Sequence, residues 1–149
     1  MRNYHQKIYF SRTKPDGMEI DVQGLCPLLQ VFDMKISLDF YCNTLGFTLH
    51  ASAGPANDMG WAWLKWNDAE LMLNTAYETA VRPPAADPAR LAAHDDTCIY
   101  IGCPDVDEAY SYLLSKGLKI NPPQVTHYGM KQLYLHDPDG YNLCFQWKT

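Results

Sequence analysis

The sequence lacks several features that would identify whole classes of protein. No apolar run approaches the roughly 18–20 residues of a membrane-spanning helix, so no transmembrane segment is predicted. The 12 Lys and Arg residues are scattered, and with 17 Asp and Glu the formal net charge is −5. Because nucleic acids and anionic membranes attract basic patches, neither is expected as a partner. The chain also has no glycine-rich phosphate loop, no G-x-S-x-G and no C-x-x-C motif.

The cysteines do not form a disulfide framework. There are five, an odd number at irregular spacing, whereas small secreted domains held by disulfides carry an even number. We interpret them as reduced thiols. Since the N-terminal residues Met1–His5 are also too polar for a signal peptide, we expect a cytoplasmic protein.

What the sequence does contain is enough apolar material for one folded domain. With 149 residues, 47% apolar and 19% charged, the chain can bury a substantial core. We place this domain at residues 25–149, after an N-terminal extension at residues 1–24. The extension has strand-like stretches at Lys7–Phe10 and Met18–Val22 with a turn between them. It is either a hairpin arm or a flexible leader.

The C-terminal run Leu133–Trp147 predicts a β-hairpin. The proline of its turn, Asp137–Gly140, presets φ, and Gly140 supplies the left-handed residue that closes a three-residue loop. After the turn, large apolar residues alternate with smaller, partly polar ones, as in a strand with one face on a core. The turn register then places Tyr134 opposite Cys144 and on the same face.

The order strand, helix, three strands occurs twice. Asp33 and Asp105 each stand where a helix begins, 72 positions apart, and the same shift places Cys26 on Cys98. We therefore predict an α+β fold of two βαβββ modules that form a curved, eight-stranded mixed sheet around a cavity. The predicted boundaries are module 1 at 25–79, a linker at 80–96 with one helical turn at Pro88–His94, and module 2 at 97–149.

Two stretches resemble a known family. The sequence DPDGYNLCF at residues 137–145 looks like the closing hairpin of the glyoxalase/bleomycin-resistance/extradiol-dioxygenase superfamily, which has the vicinal oxygen chelate fold. Residues 33–47 are similar to the first helix of that family, with its pattern D...S..FY...LGF. The resemblance implies the same pair of modules. It also implies a homodimer, because members of the family commonly pair.

Side-chain alternation predicts a second face on the sheet. In the closing strands the large apolar residues take one parity, and medium-sized, mildly polar residues take the other. Such a mixed face indicates the lining of a cavity for a small, partly aromatic ligand, and a second small core is the alternative. The predicted ligand-binding residues are Cys26, Leu28, Gln30, Met72, Asn74, Cys98, Tyr100, Tyr134, Cys144 and Gln146.

Three tryptophans crowd one predicted strand. Alternation places Trp61 and Trp63 on one face and Trp66 on the other. One of these faces lines the ligand site by stacking, or the rings pack under a helix; the sequence leaves both readings open.

The resemblance also implies where a metal ion would be bound. Enzymes of the family use His, Gln or Glu at four positions, which correspond here to Cys26, Met72, Cys98 and Cys144. Because none of these is His or a carboxylate, we expect no metal and no other cofactor. This departure puts glyoxalase, extradiol dioxygenase and metal-dependent thiol transferase activities in doubt.

Two functions remain after this comparison. The first is a metal-free binding protein of the bleomycin-resistance type that holds a small molecule. The second is an enzyme, a lyase or dioxygenase relative, that uses a soft metal or thiols at Cys26, Cys98 and Cys144. Free cysteines are more often small buried hydrophobes, so the ligand positions favour the first function.

Overall fold

The computed structural model describes Ile20, Val22 and residues 24–149. The arm or leader expected at residues 1–24 therefore lies outside the described residues, apart from Ile20, Val22 and Gly24. Within the described part of the chain, no helix has both the length and the apolar character needed to cross a membrane.

Module 1 consists of a strand, a helix and three further strands. Its elements are β1 (Leu28–Val31), α1 (Met34–Leu38) continued by a π-helix (Asp39–Leu45), β2 (Thr48–Ala53), β3 (Trp61–Trp66) and β4 (Ala69–Thr75). The connecting stretch then carries a 3₁₀ turn (Thr79–Val81), α2 (Pro88–Ala93) and a second 3₁₀ turn (His94–Asp96). The short helix α2 lies where one helical turn is predicted.

Module 2 repeats the same order of elements. These are β5 (Cys98–Gly102), α3 (Val106–Ser115), β6 (Gln124–Val125), β7 (Met130–His136) and β8 (Asn142–Lys148). The sheet orders are β1-β4-β3-β2 and β5-β8-β7-β6, with the first and last strands of each module parallel. The predicted α+β fold of two βαβββ modules is confirmed, and its eight strands divide between two four-stranded sheets.

The strand register shows the duplication directly. In module 1, Leu28 pairs with Met72 across the parallel β1 and β4. In module 2, Tyr100 pairs with Cys144 across β5 and β8, and each of these residues lies 72 positions after its counterpart. The predicted period is therefore correct for the first and last strands of both halves.

The two helical segments begin in the same way, and they differ in length. The carboxylate of Asp33 accepts from the backbone N–H groups of Lys35 and Ile36, and that of Asp105 accepts from Glu108. The sequence has one residue more between Asp33 and Gly46, the glycine that ends the helix of module 1, than between Asp105 and Gly117 in module 2. The π-helix at Asp39–Leu45 accommodates it, because a π-helix is a wider turn that absorbs an insertion.

One hydrophobic core joins the modules. It contains the residues of both sheets that face the helices, together with side chains from the helices themselves: Leu29, Val31, Leu64, Leu71, Leu73, Leu133, Leu135, Leu143 and Phe145 from strands, and Tyr41, Leu45, Val106 and Leu113 from helices. The opposite faces of the two sheets are thereby left outside this core.

Two strands differ from the strand-like patterns in the sequence. The run Leu25–Val31 predicts a strand, and β1 begins three residues later, at Leu28. The run Val125–Tyr128 also predicts a strand, but β6 is Gln124–Val125, because residues 126–129 form a turn in which Gly129 has φ 78° and donates to the carbonyl of Thr126. The turn ends the pairing with β7.

Candidate ligand-binding faces of the two sheets

The register gathers the predicted ligand-binding residues on two faces. In module 1, Leu28 pairs with Met72 and Gln30 with Asn74, so these four residues share the side opposite the core. We call this the module 1 face. Cys26 lies in the coil that precedes β1, so the strand register does not assign it to a face.

The corresponding side of the second sheet is the module 2 face, formed by Cys98, Tyr100, Tyr134, Cys144 and Gln146. Tyr100 and Tyr134 flank Cys144 on the neighbouring strands, which confirms the predicted hairpin register. The Cα partner of Gln146 in β5 is Gly102, so no side chain covers Gln146 from that strand.

The three tryptophans divide as alternation requires, and the structure decides their roles. Trp61 pairs with Asn74 and Trp63 with Met72, so both indoles belong to the module 1 face. Trp66 lies on the other side, where its ring packs against Phe145 with centroids 6.0 Å apart. Trp66 is therefore a partly buried residue that packs against the core.

Trp63 is the centre of a small aromatic and charged cluster. The ring of His50 stands edge-on to it at 4.6 Å, and Lys65 Nζ lies 4.4 Å from the indole centroid. Lys65 also forms an ion pair of 3.1 Å with Glu70. The buried Trp63 Nε1 has no hydrogen-bond acceptor among the described residues, which marks a place where a water or ligand oxygen is expected.

A hydrogen-bond network crosses the module 2 face. Tyr100 and Tyr134 are joined through their hydroxyls at 3.2 Å, and Tyr134 donates to Gln132 Oε1 at 3.2 Å. The same amide oxygen accepts from Tyr128 at 3.3 Å, and Gln132 Nε2 donates to Gln146 Oε1 at 2.8 Å. The hydrogen bond with Tyr100 raises the pKa of Tyr134 well above its usual value, so this phenol stays protonated.

Sequence reasoning missed Gln132 and Tyr128. Gln132 stands two positions before Tyr134, so the alternation rule that selected Tyr134 also places Gln132 on the module 2 face. Tyr128 follows β6 in the turn and carries no periodic signal. Only its hydrogen bond to Gln132 reveals that it belongs to this face.

The two faces are open in the single chain. Leu28 is 45% exposed, Tyr100 53% and Tyr134 46%. A cavity of about 770 Å³ touches the predicted residues only at Cys98 and Tyr100, and one of about 550 Å³ touches them only at Asn74. Neither cavity gathers the ten residues, of which Leu28, Tyr100 and Tyr134 are exposed, Cys144 is fully buried and the rest are half-buried.

The cysteines at the family positions are the candidate metal ligands of this chain. Among the residues that the structure describes, no three His, Cys, Asp or Glu side chains are grouped so that they could hold a metal ion. Burial raises the pKa of the thiols of Cys26, Cys98 and Cys144, which disfavours the thiolate form that binds metals and attacks electrophiles. The residues at the four family positions do not fit the hard or borderline metals of that family.

Two four-stranded mixed sheets, each a βαβββ module with an open second face, define the class of paired-module proteins that the sequence resembles. The family model described as the Glyoxalase/Bleomycin resistance protein/Dioxygenase superfamily matches residues 25–145. The chain belongs to this superfamily.

Solved structures share the fold at low sequence identity. A bleomycin resistance determinant encoded on the transposon Tn5 is 23% identical with a TM-score of 0.64, covering 85% of this chain and 98% of that one. TnmS3, an antibiotic binding protein from Streptomyces sp. CB03234, is 22% identical with a TM-score of 0.63, covering 89% and 99%. A glyoxalase/bleomycin resistance protein from the same organism is 24% identical with a TM-score of 0.58, covering 82% and 97%. No curated protein matches the chain significantly.

Proposed function

We propose that the protein binds a small, partly aromatic molecule without a metal ion and catalyses no metal-dependent reaction. The observation that carries this proposal is that Tyr100 pairs with Cys144 on the module 2 face, which also contains Cys98. Cys98 and Cys144 stand at two of the four positions where enzymes of the family carry metal ligands. Thiols and a thioether replace the usual ligands, and aromatic and amide side chains surround them. Such a surface can bind by stacking and hydrogen bonding.

A homodimer is part of the proposal. A ligand held between open sheet faces is sequestered only when something covers them, and a second copy of the chain offers a matching surface. The two faces together present exposed aromatic and aliphatic side chains, including Leu28, Tyr100 and Tyr134. Light scattering at micromolar concentration tests this part, and a monomer would contradict it.

The enzyme that uses thiols or a soft metal is the weaker alternative. It would need a thiolate or a convergent ligand set at Cys26, Cys98 and Cys144. The raised thiol pKa values and the lack of a three-residue cluster in the described part of the chain both oppose it.

Native mass spectrometry and elemental analysis of the same preparation test the proposal. Protein purified without chelator should carry a small organic molecule and less than stoichiometric transition metal. One equivalent of nickel, zinc, iron or manganese would overturn the assignment. One equivalent of copper(I) would instead support the thiol-based alternative.

A further inference from the structure

We propose that residues 1–15 dock on their own chain, in an apolar trench with an acidic rim that lies where the two modules meet. The trench is the combined space of two cavities of about 770 and 570 Å³. The cavities adjoin, because Trp66, Cys103, Pro104 and Phe145 line both of them. The inference concerns an interaction within the chain and does not depend on the proposed ligand binding.

The floor of the trench is apolar and comes from both modules. Leu45, at the end of the π-helix, lines the smaller cavity together with Ala109 and Leu113 of α3. Leu71 of β4 and Ile101 of β5 line the larger one. Covering apolar surface of this kind removes it from water and is favourable. An occupant of the trench therefore has to bring apolar side chains.

The rim of the trench carries carboxylates without basic side chains. Asp68 and Glu70 line the larger cavity, Asp105 and Glu108 line the smaller one, and no Lys or Arg is among the described residues of either lining. Glu70 pairs with Lys65, and Asp105 caps α3. Asp68 and Glu108 are exposed and form no ion pair within the described part of the chain. Such a rim attracts a basic segment and repels an acidic one.

The N-terminal residues carry the complementary charge. Residues 1–15 contain four Lys or Arg and no Asp or Glu, whereas residues 16–149 contain eight Lys or Arg and 17 Asp or Glu. The four cations are Arg2, Lys7, Arg12 and Lys14. Between them lies the apolar run Ile8–Phe10. A basic segment with an apolar centre matches an apolar floor with an acidic rim.

The described chain enters the fold beside the trench. Leu25 and Pro27, which precede β1, line the larger cavity, and Leu25 is 88% exposed. The ten residues that separate residue 15 from Leu25 span at most about 35 Å when extended. So short a connection gives residues 1–15 a high effective concentration at the trench of their own chain, which favours docking there over docking on a second copy.

The larger cavity also follows an unpaired strand edge. All residues of β5 line it, and β5 pairs with β8 alone among the described strands. Thr97 and Cys103 bond to β8 through their backbones. Bonded residues alternate along a parallel ladder, so the backbone groups that point away from β8 are those of Cys98, Tyr100 and Gly102. A segment that lies along β5 satisfies these groups, which adds polar contacts to the apolar and ionic ones.

Carbodiimide crosslinking of the full chain tests the contact, because the reagent joins an amine to a carboxylate beside it. Equal amounts of ¹⁴N- and ¹⁵N-labelled protein are mixed in urea, refolded together, crosslinked at micromolar concentration and digested for mass spectrometry. We expect links from Lys7 or Lys14 to Asp68 or Glu108, each within one isotope. Links between isotopes would show that a second copy supplies the segment. That result, or the lack of these links, would overturn the proposal.

Cleavage by an arginine-specific protease measures how firmly the segment is held. Cleavage after Arg12 should be at least tenfold slower in the full chain than in a synthetic peptide of residues 1–24. Asp68→Lys and Glu108→Lys should each raise the rate in the full chain about threefold, because each replaces an attraction at the rim by a repulsion. Equal rates for the wild-type chain and the peptide would contradict docking.

Glu78→Lys is the matched control for these variants. Glu78 is exposed and lines a separate cavity of about 550 Å³, and its replacement changes the net charge by the same amount. This control should leave the cleavage rate unaltered, and circular dichroism verifies that each variant is folded. If Glu78→Lys accelerates cleavage as much as Glu108→Lys, or if neither rim variant accelerates it, the assignment of the segment to the trench is wrong.

Discussion

The phenol of Tyr41 in module 1 donates a 2.8 Å hydrogen bond to the carboxylate of Asp137 in module 2. Both side chains are buried, with 0% and 5% exposure. The other oxygen of Asp137 accepts from the backbone N–H groups of Asp139 and Tyr141, each at 2.9 Å. The first aspartate of the hairpin turn therefore closes the turn and ties it to the first helix.

The second aspartate of the turn makes a further link. Asp139 accepts from the backbone N–H of Phe32 at 2.7 Å and from the hydroxyl of Ser37 at 3.2 Å. Its carbonyl accepts from His94 Nδ1 at 2.6 Å, and the His94 ring stacks on Tyr141 with centroids 3.9 Å apart. The turn thus joins β1, α1 and the linker, and it positions the two open faces relative to one core.

Tyr41→Phe should destabilise the fold. The substitution keeps the ring and removes the only proton that the described residues donate to this oxygen of Asp137, so a buried carboxylate oxygen loses its partner. We expect a decrease of about 1.5–3 kcal/mol in the free energy of unfolding, measured by urea denaturation. The control, Tyr112→Phe, changes an exposed phenol and should leave the midpoint nearly unaltered. Equal midpoints for both variants would exclude the proposed link between the modules.

The turn carboxyls should make stability depend on pH in an unusual direction. Burial raises the pKa of Asp137 and Asp139 above the ordinary value, so the folded chain binds these protons more tightly than the unfolded chain does. Their contribution is fully present below the unfolded pKa of about 3.9 and is lost as the pH rises through the folded pKa.

Asp139→Asn isolates this effect. The amide oxygen can still accept from Phe32, and the amide N–H₂ can donate to Ser37, whose hydroxyl also reaches the carbonyl of Asp33 at 3.1 Å. Relative to wild type, the variant should therefore gain stability as the pH rises from about 4 to 7. Urea unfolding across this range measures the difference. A difference that stays constant or falls with pH would contradict the expectation.

Gly140→Ala should be more damaging than the same change at another left-handed glycine. Gly140 has φ 86°, and a Cβ there would lie 2.7 Å from the carbonyl oxygen of Leu91. Gly117 has φ 87° with open space around it, so Gly117→Ala reports the backbone strain alone, about 1–2 kcal/mol. We expect Gly140→Ala to lower the free energy of unfolding by more than Gly117→Ala does. Equal losses would show that α2, which carries Leu91, moves away from the new Cβ at no cost in stability.

Met72→Trp should fill part of the module 1 face and leave the fold intact. Met72 is half-buried and lies between Leu28 and Trp63 on the side of the sheet opposite the core. Binding of the co-purified molecule should weaken at least tenfold, while the urea midpoint changes little. Ile36→Trp, at an exposed position of α1, is the matched control for adding an indole. If Met72→Trp lowers the free energy of unfolding by about 1–3 kcal/mol, this face is instead packed as a core.

The composition of the two faces was predictable where it depends on alternation. Leu28, Met72, Tyr100 and Cys144 share their faces because successive side chains of a strand point to opposite sides, and this holds whatever the strands pack against. Gln132 was equally accessible to that rule. Tyr128 was not, since it lies in a turn and reaches the network through one hydrogen bond.

The sequence by itself determined the local structure of this protein. Caps such as Asp33 and Asp105, the hairpin turn and the 72-residue period follow from hydrogen-bond closure and side-chain alternation within short segments. These rules need no knowledge of distant residues. They therefore define two βαβββ modules and assign each strand residue to a face.

Only the tertiary structure decided what lies against each face. It buried Asp137 and Asp139 against the first helix, whereas the turn pattern predicts only the hairpin loop and not its surroundings. It packed Trp66 against the core beside Phe145 and left Tyr100 and Tyr134 exposed. The physical reason is that alternation defines the direction of a side chain, whereas its surroundings depend on contacts between segments about a hundred residues apart, such as Tyr41 with Asp137.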